Sequence, residues 1–293
     1  FEAEFDAHVF SSQNGRSKYL YELILSGDGK TVSYEALKHF PTGHRKRLFE
    51  RNGQKIVFSK EFEISANDPL RERIRNNASV ISTLAKFNHP IAMAFYNNLE
   101  AIVTDVSIVG KMHLADERAT TLYSKNSSIL EALNNDIKRM DFGLEKIMID
   151  EEKDTLKPKF YHKGIDGSLS YAFESQGTQN FYNIYPYLHY ALDTGGVAVL
   201  DELGSDIHPL LLPELVQTFQ SKDTNPLDAQ LIISCHNATL LEHLSKEEIF
   251  FTEKNLSGAT EVYGLKEISG VRRDTNIYAK YLSGVFGGVP NIG

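Results

Sequence analysis

In the stretch GGVAVLDELGSDIHPLLLPEL, Gly195 to Leu215, four consecutive apolar residues, Val197 to Leu200, run straight into two acids, Asp201 and Glu202. An apolar run without polar alternation suits a strand buried on both faces of a parallel sheet. Acids at the carboxyl end of such a strand occupy the rim where open α/β sheets take ligands, so the pair is placed for chemistry: this is the Walker B arrangement. The plainer reading is a strand-to-loop exit, and the pair gains meaning only from partners.

Two further sites supply them. In AQLIISCHNATLLE, Leu231 to Ser234 predict a second buried apolar strand, and His236 lies just past its end, as Asp201 lies past the first. Between them Pro209 to Gln220 reads as a helix with Pro209 near its first turn, so the two strands form one βαβ unit with both polar ends on the same rim. Upstream, Ser175, Gln176, Gly177 and Thr178 make a small polar loop that leads into an amphipathic helix carrying Tyr182, Tyr185 and Leu188. A helix start with Ser and Gly offers N–H groups and partial positive charge to an anion; the plainer reading is an ordinary capped helix. A lone histidine is usually structural, but three polar sites in this order and spacing are far less readily coincidental.

A fourth candidate fails. SGDGKT, Ser26 to Thr31, mimics the end of a phosphate-binding loop, yet the glycine that motif requires five residues before its last Gly is Ile24 here. Strands flank the tip on both sides, whereas a phosphate loop feeds a helix whose amino end faces the anion.

The elements that must position these residues are predicted in order. Residues 1–66 alternate β-branched and aromatic residues with turn dipeptides, which predicts an antiparallel β region. Residues 67–140 turn helical and read as a helical insertion, with Leu130, Leu133, Ile137 and Met140 at helical spacing. Residues 141–293 begin with short strands up to residue 172 and then alternate helix and strand as a parallel α/β lobe does. The 293 residues, 41% hydrophobic, suffice for a substantial core. One cysteine, Cys235, excludes an internal disulfide and faces a buried strand end, so it is not read as reactive. No apolar run reaches the roughly 18 residues of a membrane span and no signal peptide is present, so a cytoplasmic location is expected. The net charge of −8 argues against a generally basic nucleic-acid binder. The densest basic cluster, Gly43 to Arg51, reads as a solvated hairpin rim or as a contact for phosphate or an acidic partner.

The order ESQGT, then VAVLDELGSDIHP, then IISCHN resembles the signature loop, the Walker B strand with D-loop, and the switch histidine of ABC-type ATPase heads. It looks closest to the branch that holds structural-maintenance-of-chromosomes (SMC) heads, overcoming-lysogenization-defect ATPases and the abortive-infection ATPases of bacterial phage defence. VSYEALKHF…RLFERNGQKIVFS, MDFGLEKIMID and YLSGVFGGVPNI fit the abortive-infection group, so the likeness covers nearly the whole chain. The fold it implies is α/β: an ABC-ATPase-like head with an antiparallel β region, a helical insertion and a parallel α/β lobe. In that family the phosphate-binding (Walker A) loop lies upstream of the region resembling Phe1, and the chain reads as lacking that opening segment.

The resemblance implies ATP and Mg²⁺ as cofactors. Asp201 would hold Mg²⁺ through water, Glu202 would orient and deprotonate the attacking water, and His236 would contact the γ-phosphate. Ser175, Gly177 and Thr178 would serve the nucleotide of an opposite subunit, and Asp206 with His208 would line the seam of a homodimer or higher homo-oligomer. Arg272 and Arg273 could assist, or form a solvated pair at a strand end. A separate effector, nuclease or toxin, and a nucleic-acid or phage-protein trigger complete the implied system, with no membrane involved. Two other functions stay open: a nucleotide-sensing scaffold with little turnover, and a DNA-repair head of the SMC kind. The second calls for a long heptad coiled coil, for which residues 67–140 are too short and irregular.

Overall fold

The computed structural model describes residues 2–11, 15–27, 29–41, 44–107, 110–111, 116–140, 143–204, 207, 211–272 and 274–289, with side chains from residue 19 onward except 107, 110–111 and 116. The chain divides into two compact units, residues 1–102 and 103–293. Residues 67–140, expected as one helical insertion, supply helices to both.

In the first unit β1 (Glu2–Ser11), β2 (Gly15–Leu25), β3 (Val32–His39), β4 (Lys46–Asn52) and β5 (Lys55–Phe58) form a five-stranded meander in sequence order, antiparallel throughout. The SGDGKT tip joins β2 to β3: the Thr31 carbonyl accepts from the Ser26 N–H at 2.8 Å, and no helix follows. Helices α1 (Val80–Ala85) and α2 (Pro90–Glu100) bury Val80, Ile81, Leu84 and Phe95 with Leu37 and Phe49 of the sheet. The basic segment 43–51 is not wholly a solvated rim. Arg51 is buried at 1% exposure because alternation in β4 turns it inward, and its guanidinium donates to the carbonyls of Gly53, Ala78 and Arg75.

The second unit opens with β6 (Ile102–Thr104) and the short strands β7 (Val106–Ser107) and β8 (Gly110–Lys111), followed by α3 (Asp116–Lys125) and α4 (Ser127–Arg139). Ile129, Leu133, Ile137 and Met140 carry the buried stripe, with Leu130 packed at its margin. Then β9 (Leu144–Glu152), β10 (Thr155–His162) and β11 (Leu169–Ser170) pair as an antiparallel sheet. The expected α/β passage follows as α5 (Gln176–Thr194), β12 (Val197–Leu200), α6 (Leu211–Gln220) and β13 (Gln230–Ile233). β12 and β13 are parallel, and the sheet order is β13-β12-β6. Beyond β13 the alternation stops. β14 (Phe250–Lys254) and β15 (Thr260–Gly264) make an antiparallel hairpin, with α7 (Ile277–Leu282) after it, around Ile249, Phe251, Leu265 and Phe286.

Neither parallel strand is buried on both faces. Ala198 and Leu200 are buried, Val197 and Val199 are half-buried, and Ile232 is 55% exposed. The register Ala198↔Leu231 and Leu200↔Ile233 puts those four on the core side, so strand alternation leaves Val197, Val199 and Ile232 on the other face. Among the described residues no helix is long and apolar enough to cross a membrane.

Candidate functional site

The site begins where β12 ends. Leu200 points into the core, and the next residues must leave the sheet without dragging their charge inward. The chain manages this by placing Glu202 in the left-handed region at φ 48° and sinking Leu203 and Ile207 back into the core at 5% and 4% exposure. A non-glycine residue with positive φ costs free energy unless its surroundings hold it, and such residues concentrate at functional sites. Gly204 completes the turn: a β-carbon there would lie 3.0 Å from the Cys235 sulfur and 3.2 Å from Leu212 Cδ2. Burial raises the Cys235 thiol pKa, in keeping with an unreactive cysteine.

Both neighbouring strands grip this turn. From the end of β6, the buried carboxylate of Asp105 accepts the Asp201 N–H at 2.9 Å, while the Asp105 N–H donates to the Val199 carbonyl at 3.3 Å. From the end of β13, the Ser234 hydroxyl donates to Asp201 Oδ1 and accepts the Glu202 N–H, the latter at 2.8 Å. His236, two residues further on and 90% exposed, brings Nε2 to 3.8 Å from Glu202 Oε1. Asp201, Glu202 and His236 therefore meet at one rim.

At the start of α5, Ser175 is the N-cap: its hydroxyl accepts the Thr178 N–H at 3.2 Å and lies 2.9 Å from the Thr178 hydroxyl. Ser175 is exposed, Gly177 half-buried and Thr178 buried. Glu174, immediately before, turns inward to bring Oε1 within 2.8 Å of His162 Nε2, and the Gln179 amide donates to the Glu174 carbonyl at 3.1 Å. The Glu174 side chain thus ties the loop to the end of β10, while the bonds of Ser175 stay within the first turn of α5. Asp206, His208, Pro209 and Arg273 lie outside the described residues. Arg272 is exposed at a turn, its N–H donating to the Thr275 hydroxyl at 3.0 Å.

The donor set suits a hard cation. The carboxylates of Asp201 and Glu202 are oxygen ligands, and Mg²⁺ is typically held by one or two carboxylates together with phosphate oxygens and water. Among the described residues no group of three or more His, Cys, Asp or Glu would hold a metal unaided. Asp201 and Glu202 are the residues that would hold such an ion. Two of the site's residues carry no site role in the sequence pattern alone: Asp105, and Ser234 beyond its place at the end of a predicted strand. Each ends a short apolar run, AIVTD and LIIS, as Asp201 ends VAVL, and that shared pattern was the available signal.

Paired acids thus follow the central strand of a three-stranded sheet, a histidine lies past the end of its parallel neighbour, and a capped polar helix start lies upstream. A family model described as "AAA domain, putative AbiEii toxin, Type IV TA system" matches residues 1–242, and the chain belongs to that family. Among curated proteins none matches the chain. Two solved structures are similar at a distance. One comes from work on ATP-driven dimerization and DNA-stimulated activation of SMC ATPases, at 11% identity and TM-score 0.40, over 57% of this chain and 96% of that one. The other is an SMC head bound to the C-winged helix domain of ScpA, at 11% identity and TM-score 0.39, over 86% of this chain and 76% of that one.

Proposed function

We propose that this chain is the ATP-binding and ATP-hydrolysing head of an anti-phage, abortive-infection type system, which dimerises on ATP and thereby controls a separate effector, a nuclease or toxin. The observation that carries the reading is the placement of Asp201 and Glu202 at the carboxyl end of β12 with His236 Nε2 3.8 Å from Glu202. Mg²⁺ bound beside Asp201 would screen phosphate charge, which phosphoryl transfer needs more than it needs covalent help from the protein. Asp201 would hold the ion, Glu202 would orient the attacking water and take its proton, and His236 would contact the γ-phosphate. The start of α5 at Ser175, Gly177 and Thr178 would serve the nucleotide of an opposite subunit; Asp206 and His208, expected at the seam, lie outside the described residues.

The test is made on the full-length protein. Glu202→Gln keeps size and hydrogen bonding but cannot take a proton, so ATP binding should persist while turnover falls by orders of magnitude. Turnover within about twofold of the parent would remove Glu202 as the base. Asp201→Asn should instead weaken the magnesium dependence of nucleotide affinity, because a hard cation prefers charged oxygen. An unchanged magnesium titration would remove the metal role.

A further inference from the structure

Four consecutive residues at the candidate site bond to one serine. The Ser234 N–H donates to the Leu200 carbonyl at 3.1 Å, and the Ser234 carbonyl accepts the Leu203 N–H at 3.2 Å. Between these, the Ser234 hydroxyl donates to Asp201 Oδ1 and accepts the Glu202 N–H at 2.8 Å. A hydroxyl has one hydrogen, so donation to the first acid obliges it to face the second as an acceptor. The two backbone bonds follow directly on the β12–β13 ladder and require no hydroxyl at this position. The two hydroxyl bonds need Ser or Thr.

We infer that Ser234 is a positioning residue that ties the two acids into one unit: its hydroxyl sets the rotamer of Asp201 and stabilises the left-handed backbone of Glu202, which aims that carboxylate toward His236. The inference rests on the reading of Asp201 and Glu202 as metal and water residues. Glu202 sits at φ 48° without being glycine, so something must hold it, and the Ser234 hydroxyl takes its N–H in that conformation. The same oxygen fixes the carboxylate that faces the cation, and partners of this kind around metal ligands typically change metal affinity or activity by about 10–100-fold when removed. Ser234 is itself exposed, so alanine there removes a hydroxyl without opening a cavity.

The experiment compares Ser234→Ala, Ser234→Thr and Glu202→Gln in the full-length protein. In Ser234→Ala, kcat should fall by about 10–100-fold with KM for ATP within about twofold, and the Mg²⁺ concentration that half-saturates nucleotide binding should rise. In the nucleotide-free protein, amide hydrogen exchange at Glu202 should accelerate by about tenfold. Exchange at Leu203, whose partner is the Ser234 backbone carbonyl, should stay unchanged and report an intact fold. Ser234→Thr keeps the hydroxyl and should return all of these toward the parent. The inference is overturned if Ser234→Ala exchanges at Glu202 at the parental rate, or if Ser234→Thr is no better than Ser234→Ala. Should Glu202→Gln turn over ATP like the parent, the hydrolysis reading fails, and the exchange measurement still judges Ser234.

Discussion

At the scale of single residues, the first unit holds a buried ion pair. Glu35 and Arg51 have side chains 0% and 1% exposed, with Arg51 Nη1 3.8 Å from Glu35 Oε2. The carboxylate also accepts from the Tyr21 hydroxyl at 2.9 Å and from the Val80 and Ile81 N–H groups, so it anchors the start of α1 to β3. Removing one member of such a pair leaves an uncompensated buried charge, so Arg51→Met should cost about 3–5 kcal/mol near neutral pH. Burial pushes the Glu35 carboxyl above the ordinary carboxylate range, against the pull of these donors and of Arg51. The folded protein therefore binds that proton more tightly than the unfolded chain does. The stability this group contributes is fully present below the ordinary carboxylate pKa and is lost as pH rises through the raised value. Loss of Arg51 raises that value further. Urea unfolding should accordingly show the Arg51→Met deficit shrinking on acidification from pH 7.5 toward pH 5, and a deficit that grows instead would contradict a buried pair of this character.

At the scale of elements, α5 shows how two boundary residues fix a 19-residue helix. Ser175 caps its start and Gly195 ends it in the left-handed region at φ 65°, directly ahead of β12. A β-carbon on Gly195 would meet the Leu227 carbonyl oxygen at 2.8 Å, a backbone atom that cannot swing aside. Gly195→Ala should cost more than the roughly 1–2 kcal/mol of a left-handed backbone alone. Gly258, at φ 81° with open space around it, is the matched control. Equal shifts of the unfolding midpoint for Gly195→Ala and Gly258→Ala would show that the close approach to Leu227 carries no weight.

At the scale of the whole molecule, the proposed dimer makes a demand on geometry. In such a dimer the N–H groups at the start of α5 would serve a nucleotide held by the other subunit, so hydrolysis would need association, and an isologous pair would repeat each contact twice. Full-length Ser175→Arg and full-length Glu202→Gln should each be inactive alone. Mixed, they should regain activity, because one of the two mixed sites combines an intact signature loop with an intact base. Activity that remains at the sum of the two, in mixtures shown by sedimentation to contain heterodimers, would count against the trans arrangement.

The sequence by itself determined the parts whose cause is local. Apolar runs ended by polar residues marked β12 and β13, the polar loop from Ser175 to Thr178 marked the start of α5, and the Gly-Asp-Gly tip with strands on both sides ruled out a phosphate loop at residues 26–31. The order of these signals along the chain pointed to the AAA family to which the chain belongs. Tertiary structure decided whatever depends on residues distant in sequence. Only sheet order places Asp105, 96 positions before Asp201, beneath its N–H, and only the parallel register of β12 and β13 brings the Ser234 hydroxyl to both acids. The inward turn of Arg51, in a segment whose charge density reads as solvent-facing, depends on Glu35 and on carbonyls up to 27 residues away. Strand faces were decided in the same way: four apolar residues in a row say strand, but which of them are covered depends on what packs against the sheet, and that leaves Ile232 facing outward.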